Sequence, residues 1–447
     1  MKVTHDGRRI TVEVTSDGEG LVSHVGSALL AQVADKTGLT RALSSELGDL
    51  QLRAGSHDRG RVVRDLAVML ADGGDCLADF AALRDQAALF GGVASDSTAF
   101  RVIDQLASNP DAIGWLRAAH ARARARYWKL AGAPEQVTID LDATLLTAHS
   151  DKEGAEPTYK RGYGFHPMLA YCDQTGEALA GELRPGNAGA NTAVDQIKVA
   201  EAALQQIPAE HIESIEVLLR VDSAGACHEL LDWCRDARIG YQVGYDLTEP
   251  VRAAIEKIAA AAWVCSLDQD GDQRPNGQVA EITDKLDLST WPSRSRVIVR
   301  RERAHPGAQL SFTDVDGHRF QAILTDQSGD IAVLERDHRA RARAEDHIRN
   351  DKDTGLRNPP FRDFEHNRVW LELVRLAHDL IAWTQHLLLT GELAKAEPKR
   401  LRHRLLHVAA RLAFHARTAR LRLPRSWPWA QDLASAFQRL AALPDPA

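Results

Sequence analysis

Four acidic residues stand where a chain seldom leaves a charge. TIDLDAT places Asp140 and Asp142 two apart in a run of Val, Ile, Leu and Thr. That composition predicts a strand, and residues two apart on a strand point to the same face. A charged pair there is costly unless it is solvated, paired or bound to metal. A second apolar run, EVLLRVDSAG, ends on Asp222 and enters the tight turn Ser-Ala-Gly. Carboxyl ends of strands are where α/β folds place their sites. Taken alone, each of these residues also reads as a cap or a turn residue; two strands with the same pattern favour a site. The fourth is Glu345, in HRARARAEDHIRNDK. There His338, Arg341, Glu345 and Lys352 follow one another at three, four and seven residues. Those steps keep side chains on one face of an α-helix.

Two strand-borne carboxylates can hold a divalent cation. A third admits a second cation, and two ions about 3.5–4 Å apart can clamp the attacking and leaving oxygens of a phosphoryl transfer. Mg²⁺ suits such a site, because it binds through one or two carboxylates plus phosphate and water. Mn²⁺ is expected to substitute. Asp142, Asp222 and Glu345 are therefore the candidate metal ligands, with Asp140 as the alternative first ligand. Arg341 lies one turn before Glu345 and Lys352 two turns after it, both placed to hold phosphates by charge-assisted contacts. The plain alternative for this stretch is an exposed helix with i, i+4 ion pairs.

The elements that must position these residues read as follows. Residues 1–20 alternate like a short β-hairpin. From about Leu21 to Leu130 apolar residues recur at three and four, as in helices, with Gly73-Gly74 and Gly91-Gly92 as punctuation. This region reads as either a helix-turn-helix arrangement or a plain helical bundle. After Glu135 come three strands, a helix at about Ala193 to Gln206, the strand ending at Asp222, a helix and a strand. Residues from about Trp263 to Val333 break that rhythm with short strands separated by Asp-Gly pairs, which predicts a β-rich insertion. A long apolar helix, VWLELVRLAHDLIAWTQHLLL, and a basic segment expected to be helical close the chain.

The expected organisation is a helical N-terminal DNA-binding or dimerisation region (1–130), an α/β core in two parts (131–262 and 335–392) around the β-rich insertion (263–334), and a basic helical C-terminal region (393–447). A chain of 447 residues with 44% hydrophobic and 26% charged residues is globular. No stretch is apolar enough to span a bilayer as a helix, and the N-terminus lacks a signal-peptide core. The five cysteines (76, 172, 227, 234 and 265) form no paired CxxC pattern, so no zinc site or disulfide framework is expected, and a cytoplasmic location is. The net charge of −7 argues weakly against nucleic acid, but charge is segregated. Pro398 to Gln431 holds nine Lys or Arg and no Asp or Glu. Such a patch is the footprint of a DNA binder. Within it Lys399, Arg400, Arg402, Arg404, Arg411, Arg417 and Arg420 are candidate DNA contacts, alongside His338, Arg341 and Lys352.

The ordered motifs TIDLDAT, LRPGNAGAN, LLRVDSAG and His338-x2-Arg341-x3-Glu345-x6-Lys352 resemble a bacterial insertion-sequence transposase of the Asp-Asp-Glu type. More narrowly, they resemble the cut-and-paste group marked by a Tyr-x2-Arg-x3-Glu-x6-Lys signature, with His338 in place of the Tyr, and within it the branch numbered thirteen-eighty. The resemblance covers roughly Asp58 to Trp429. It implies an RNase H-like core carrying Asp142, Asp222 and Glu345 as catalytic residues. It also implies two Mg²⁺ ions, double-stranded DNA partners (terminal inverted repeats and target) and a homodimer in a synaptic complex. Thr144, two residues after Asp142, matches the group's pattern and favours Asp142 over Asp140. In relatives with the insertion a Trp seats a flipped base; Trp263 and Trp291 lie in that region, and packing is the expected role of each.

Three other readings compete. IDLDAT resembles the nucleophile loop of haloacid-dehalogenase-type phosphatases, in which the first Asp attacks phosphate. The acidic pair such enzymes need downstream does not follow Gly271-Asp272 or Gly329-Asp330. A transposase-derived DNA-binding protein without catalysis and a nuclease that cuts without joining remain the others.

Overall fold

The computed structural model describes residues 2–5, 8–50, 57–148, 151–189, 192–303, 317–415 and 418–446. Nine strands form one sheet: β1 (Gln136–Ala143), β2 (Met168–Cys172), β3 (Ala178–Glu182), β4 (Glu216–Val221), β5 (Gly240–Tyr245), β6 (Val264–Leu267), β7 (Gln273–Glu281), β8 (Arg296–Arg303) and β9 (His318–Thr325). Their spatial order is β6-β7-β8-β9-β5-β4-β1-β2-β3. β4 runs parallel to both β1 and β5. β2 and β3 are antiparallel additions on the β1 side. In the turn between them Gly176, at φ +68°, donates its amide to Cys172 O at 2.8 Å. Positive φ costs little in glycine alone.

The β-rich residues between Asp222 and Glu345 continue this sheet. β9 pairs antiparallel with β5, and β8, β7 and β6 follow outward. The part of this stretch from Ala304 to Asp316 lies outside the described residues, as do Ala190 and Asn191 of the LRPGNAGAN motif.

Twelve helices of eight residues or more accompany the sheet among the described residues. The first five precede it: α1 (Ser27–Lys36), α2 (Leu39–Glu46), α3 (Arg59–Asp72), α4 (Asp96–Ala107) and α5 (Ala112–Ala131). Their ends follow local chemistry. The Asp58 carboxylate accepts from the Arg61 amide, and the Ser95 hydroxyl from the Thr98 amide, each satisfying an orphan N–H of a first turn. α3 is buried along nearly its whole length, as in a helical bundle. Next come α6 (Ala193–Leu204), α7 (His228–Asp236), α8 (Glu249–Glu256), α9 (Ile331–Arg339), α10 (Ala342–Asp351), α11 (Phe364–Leu388) and α12 (Ala430–Ala442). The long α11 packs on α3, α4, α5 and β3, so one apolar helix joins the N-terminal bundle to the sheet.

Charges buried at that junction are paired. Arg124 on α5 is fully buried and donates to Glu177 at 2.9 Å, to Asp379 of α11 at 2.5 Å and to Gln206 at 2.6 Å. The indoles of Trp128 and Trp383 also donate to Glu177, at 2.8 Å each. Uncompensated, any of these charges would be expelled from such an environment.

Two expectations are corrected. The stripe from His338 to Lys352 does not lie on a single helix. α9 ends at Arg339, and α10 starts after a tight turn in which Arg341 N bonds His338 O and Arg343 N bonds Ala340 O, both at 3.0 Å. α10 runs to Asp351, and the helical path is broken shortly after, at Thr354 (φ −126°) and Gly355 (φ +95°). The second correction concerns the basic C-terminal segment. It is helical only near Pro398–Leu406, then forms a hairpin of β10 (Ala410–His415) and β11 (Thr418–Arg422) that also pairs with Leu21–Val22. Leu412 faces Leu421 across this hairpin. The period of two in ARLAF and TARLR places those leucines together, where a helix would scatter them.

Candidate active site

β1 buries Val137, Ile139 and Leu141 on one face and carries Thr138, Asp140 and Asp142 on the other. The two aspartates have different surroundings. Asp140 is 1% exposed and stands directly across from Arg220 of β4. Arg220 grips it with Nε and Nη2, each at 2.7 Å, and also lies 3.1 Å from Asp173. Burial nevertheless pushes the Asp140 carboxyl up to about 6, against the pull of Arg220. An aspartate held in both arms of an arginine is a poor nucleophile, which removes the residue the phosphatase reading requires.

Asp142 lies at the open end of β1. Its Oδ1 accepts from the Ala143 amide at 2.9 Å, and its Oδ2 is 3.6 Å from Arg341 Nη1. Burial pushes its carboxyl up to about 6; Arg341 opposes this, while the charges of Asp222 and Glu345 add to it. Asp142 thus feels two other carboxylates, with the Arg341 guanidinium beside it. Asp222 follows β4 at the start of the Ser223–Gly225 turn. The neighbouring strand β5 makes room for that turn with Gly244. A Cβ there would meet Ser223 N at 2.7 Å and Asp222 C at 3.1 Å.

Glu345 sits in the first turn of α10, 3.8 Å from Arg341 Nη2, with a largely exposed side chain. Arg341 therefore stands between Asp142 and Glu345. Lys352, just past α10, donates to Thr144 Oγ1 at 2.7 Å, which ties the end of that helix to the end of β1. Burial, with Arg357 nearby, lowers the Lys352 pKa. The end of α10 is held from behind. Asp351 accepts from the Tyr171 hydroxyl at 2.6 Å and pairs with His378 of α11 at 2.5 Å.

Two cavities meet at these residues. One of about 860 Å³ is lined by Asp222, Glu345, Arg341 and His338, together with Arg252, Arg274 and Arg300. The other, about 70 Å³, is shared by Asp142 and Asp222 with His166, Gln196 and Tyr159. The structure thus brings Asp142, Asp222, Glu345, Arg341, His338 and Lys352 to one end of the central strands. His338 is pushed down to about 3 by burial and by Arg341, Arg220 and Arg300, so it offers a neutral ring and no charge.

The basic C-terminal residues are not part of this cluster. Arg402 is 8% exposed and its guanidinium faces inward, to Ala71 O at 2.9 Å, Asp353 O at 2.7 Å and Thr354 Oγ1 at 3.2 Å. Lys399 pairs with Asp353 at 2.9 Å, and Arg404 lies over the Trp429 ring at 4.8 Å. Arg400, Arg411 and Arg420 are exposed, and Arg417 lies outside the described residues. Trp263 packs under Arg301, at 4.1 Å, and Trp291 stacks on His228, at 4.0 Å.

Sequence reasoning missed two clusters. His166 is one; its only signal was a lone His before a strand. The other joins His24, Asp72 and His407. Asp72 lies 2.6 Å from His24 Nδ1 and 3.2 Å from His407 Nε2, and fastens the start of α1 to the C-terminal segment. Asp72 stands 48 positions from His24 and 335 from His407, so no local spacing could signal them.

No helix among the described residues is long and apolar enough to cross a membrane. The family model described as "Transposase DDE domain group 1" matches residues 4–445. No curated protein matches the chain. Among solved structures, the chain is similar to a cryo-EM structure of a piggyBac transposase synaptic complex with hairpin DNA. That match has 8% identity and a TM-score of 0.43, over 85% of this chain and 80% of that one.

Proposed function

The chain belongs to the transposase DDE domain group 1 family, and from that premise we propose that this DNA transposase moves an insertion sequence by cut-and-paste, cleaving at terminal inverted repeats and joining the freed ends to target DNA. The observation that carries the reading is the meeting of Asp142 and Glu345 at Arg341, with Asp222 close enough to raise the Asp142 carboxyl. A core of RNase H type is supported by the order β3-β2-β1-β4-β5, with β1, β4 and β5 parallel and β2 and β3 antiparallel. On this reading the core comprises 131–262 and 335–392, the segment 263–334 is its insertion, and 1–130 and 393–447 bind ends or a second copy. The branch numbered thirteen-eighty, among bacterial insertion sequences, is proposed from the spacing of His338, Arg341, Glu345 and Lys352.

The donor set fits divalent cations. Asp142 and Asp222 share a chamber, the charge of Asp222 helps to raise the Asp142 carboxyl, and oxygen donors of this kind suit Mg²⁺ or Mn²⁺. Asp142, Asp222 and Glu345 would hold the ions, which supply Lewis-acid polarisation of the phosphoryl oxygens and a more acidic water when bound. The chain's own residues do the rest. Arg341 and Lys352 present positive charge beside the carboxylates and orient phosphates. The tie from Lys352 to Thr144 sets the distance of α10 from β1. Arg252, Arg274 and Arg300 line the large cavity through which a strand of DNA would approach Asp222 and Glu345. Positioning and charge suffice for such a transfer, with no covalent enzyme intermediate. A nucleoid-associated place in the bacterial cytoplasm and a homodimer that pairs two ends belong to the same proposal.

The test uses the DNA that flanks the coding sequence. Labelled inverted repeats are incubated with purified protein and Mg²⁺, beside Glu345→Gln. Cleavage at the repeat boundary by wild type alone, followed by strand-transfer products, supports the reading. Binding without cleavage by either protein points to a catalytically silent relic, and cutting without joining to a nuclease.

A further inference from the structure

Asp72 ends α3, His24 precedes α1, and His407 stands between the helical turn Arg402–Leu406 and β10. None of the three lines the two cavities beside Asp142 and Asp222. Asp72 is buried, and its carboxylate reaches both rings: His24 Nδ1 is 2.6 Å from Oδ2 and His407 Nε2 is 3.2 Å from Oδ1. One ligand atom from each residue lies within 4.8 Å of the other two. The backbones around the rings are fixed. Val25 N donates to Val408 O and Gly26 N to Leu406 O, both at 3.1 Å, so the chain just after His24 is tied to the residues on either side of His407. Ser27 Oγ also donates to the Asp72 carboxylate, at Oδ1. Arg402, whose charge feels Asp72, spends its guanidinium on the carbonyls of Ala71 and Asp353 and leaves the carboxylate to the rings and Ser27.

Carboxylates and carbonyls only accept, so each facing nitrogen carries a proton: His24 Nδ1 toward Oδ2, and His407 Nε2 toward Asp72 O at 2.8 Å. A divalent ion that displaces those protons meets the nitrogen lone pairs along the same directions. Ligands about 2.0–2.2 Å from a tetrahedral ion stand roughly 3.3 Å apart. The His407 contact already has that span, and the His24 contact needs to lengthen by roughly 0.7 Å. We propose that His24, Asp72 and His407 form a separate metal site for Zn²⁺ or an ion of its class, which clamps the N-terminal bundle to the C-terminal segment. Two imidazoles beside one carboxylate favour first-row ions over Mg²⁺. Three protein ligands leave a fourth position, and the His407 side chain is 41% exposed, so water reaches it. No thiol takes part, which is why the cysteine pattern held no sign of the site. The inference stands apart from the transposase reading and does not depend on it.

The experiment titrates Co²⁺, a spectroscopic stand-in for Zn²⁺, into the full-length protein without DNA, and then competes it with Zn²⁺. Visible absorption reports a four-coordinate Co²⁺, and thermal melting with Zn²⁺ reports the clamp, since an ion held only by the folded chain stabilises it. Wild type is compared with His407→Gln and with Asp142→Asn, which disables the carboxylate site instead. The expected result is one ion whose bands survive Asp142→Asn and are lost in His407→Gln. Affinity in His407→Gln should fall by more than about a hundredfold, beyond the 10–100-fold that a residue supporting a ligand costs. Zn²⁺ should raise the melting midpoint of wild type and Asp142→Asn, and leave that of His407→Gln where it was. Absence of the bands in wild type, or their persistence in His407→Gln, would overturn the proposal and leave the three residues as a hydrogen-bonded tie. Loss of the bands in Asp142→Asn would place the ion at the carboxylates and overturn it equally. Should His407→Gln fail to fold, X-ray absorption of wild type loaded with one equivalent of Zn²⁺ decides. Two imidazoles and no sulfur support the site; sulfur at about 2.3 Å or a shell of oxygens alone refutes it.

Discussion

Arg220 holds Asp140 across two parallel strands, with both nitrogen–oxygen contacts at 2.7 Å. Asp142, two residues further on the same face, has Arg341 at 3.6 Å as its nearest cation. One aspartate is thus built into the sheet and the other is presented at its end.

Exchanging each for asparagine should separate those roles. Asp140→Asn takes from buried Arg220 its two-armed partner and leaves it only the charge of Asp173 at 3.1 Å, and breaking a buried pair costs about 3–5 kcal/mol. Asp142→Asn removes a partly exposed charge crowded by two others, so its stability should change by less than about 1 kcal/mol. DNA cleavage should be abolished in Asp142→Asn. Urea denaturation and cleavage of labelled ends, run on both variants, check this. A stable, inactive Asp140→Asn would reverse the assignment.

His378 supplies a pH dependence. Burial acts to lower its pKa, but the charge of Asp351 at 2.5 Å outweighs that and raises His378 to about 9 from an ordinary 6.5. A group raised in the folded state stabilises fully below its unfolded value, and that stability is lost as pH rises through the folded value. The window therefore runs from about 6.5 to about 9. Wild-type urea midpoints should fall across it, and those of His378→Gln should fall less. Equal slopes for the two proteins would show that the pair does not titrate there. Asp351 ends the helix that carries Glu345, so cleavage should decline over the same window as α10 loosens.

How much of this was legible in the sequence depends on the range of the interaction. Asp142 and Asp222 were readable because alternation and strand ends are local patterns. Glu345 and Lys352 were readable because both belong to α10 and its C-terminal edge, past the turn that separates them from His338. The pairing of β9 with β5 was not readable, since a strand does not encode which edge it will join. The hairpin of β10 and β11 was missed because HARTAR holds no Gly, Pro, Asn or Asp to mark a turn, and its arginines mimic a solvated helix face. Arg402 looked like its neighbours; only the carbonyls of Leu70, Ala71 and Asp353 around it reveal an inward residue.

That contrast gives a salt test. Arg411 and Arg422 stand directly opposite each other on the exposed hairpin, where like charges destabilise. Such a pair is tolerable on a surface that meets phosphates. Replacing both with Gln should leave stability equal or slightly higher, and should reduce the slope of log affinity against log salt by about 2 for DNA ends. Arg402→Gln should instead lower stability by about 1–3 kcal/mol, because it leaves buried carbonyls unpaired. It should leave the salt slope unchanged. Fluorescence anisotropy at several salt concentrations, beside denaturation, separates the two outcomes.

Arg341 is the remaining element to test, because it touches both Asp142 and Glu345. Without a bound ion it is the cation that offsets the charges of Asp142 and Glu345. A divalent ion must compete with that charge for the same oxygens. Arg341→Ala should therefore tighten Mn²⁺ binding, by about two- to fivefold if the contact is worth what partly exposed ion pairs usually are. The same substitution removes a charge-assisted donor for phosphate, so cleavage of labelled ends should fall by an order of magnitude or more, on the scale of one lost charged hydrogen bond. Calorimetric Mn²⁺ titration and single-turnover cleavage are the two readings. Weaker Mn²⁺ binding in Arg341→Ala would mean that the guanidinium holds Asp142 and Glu345 in place for the ion. Arg341→Lys separates those cases further. A lysine keeps the charge but loses the fork that spans two carboxylates. Cleavage should stay low in that variant if spanning matters, and recover if charge alone is required.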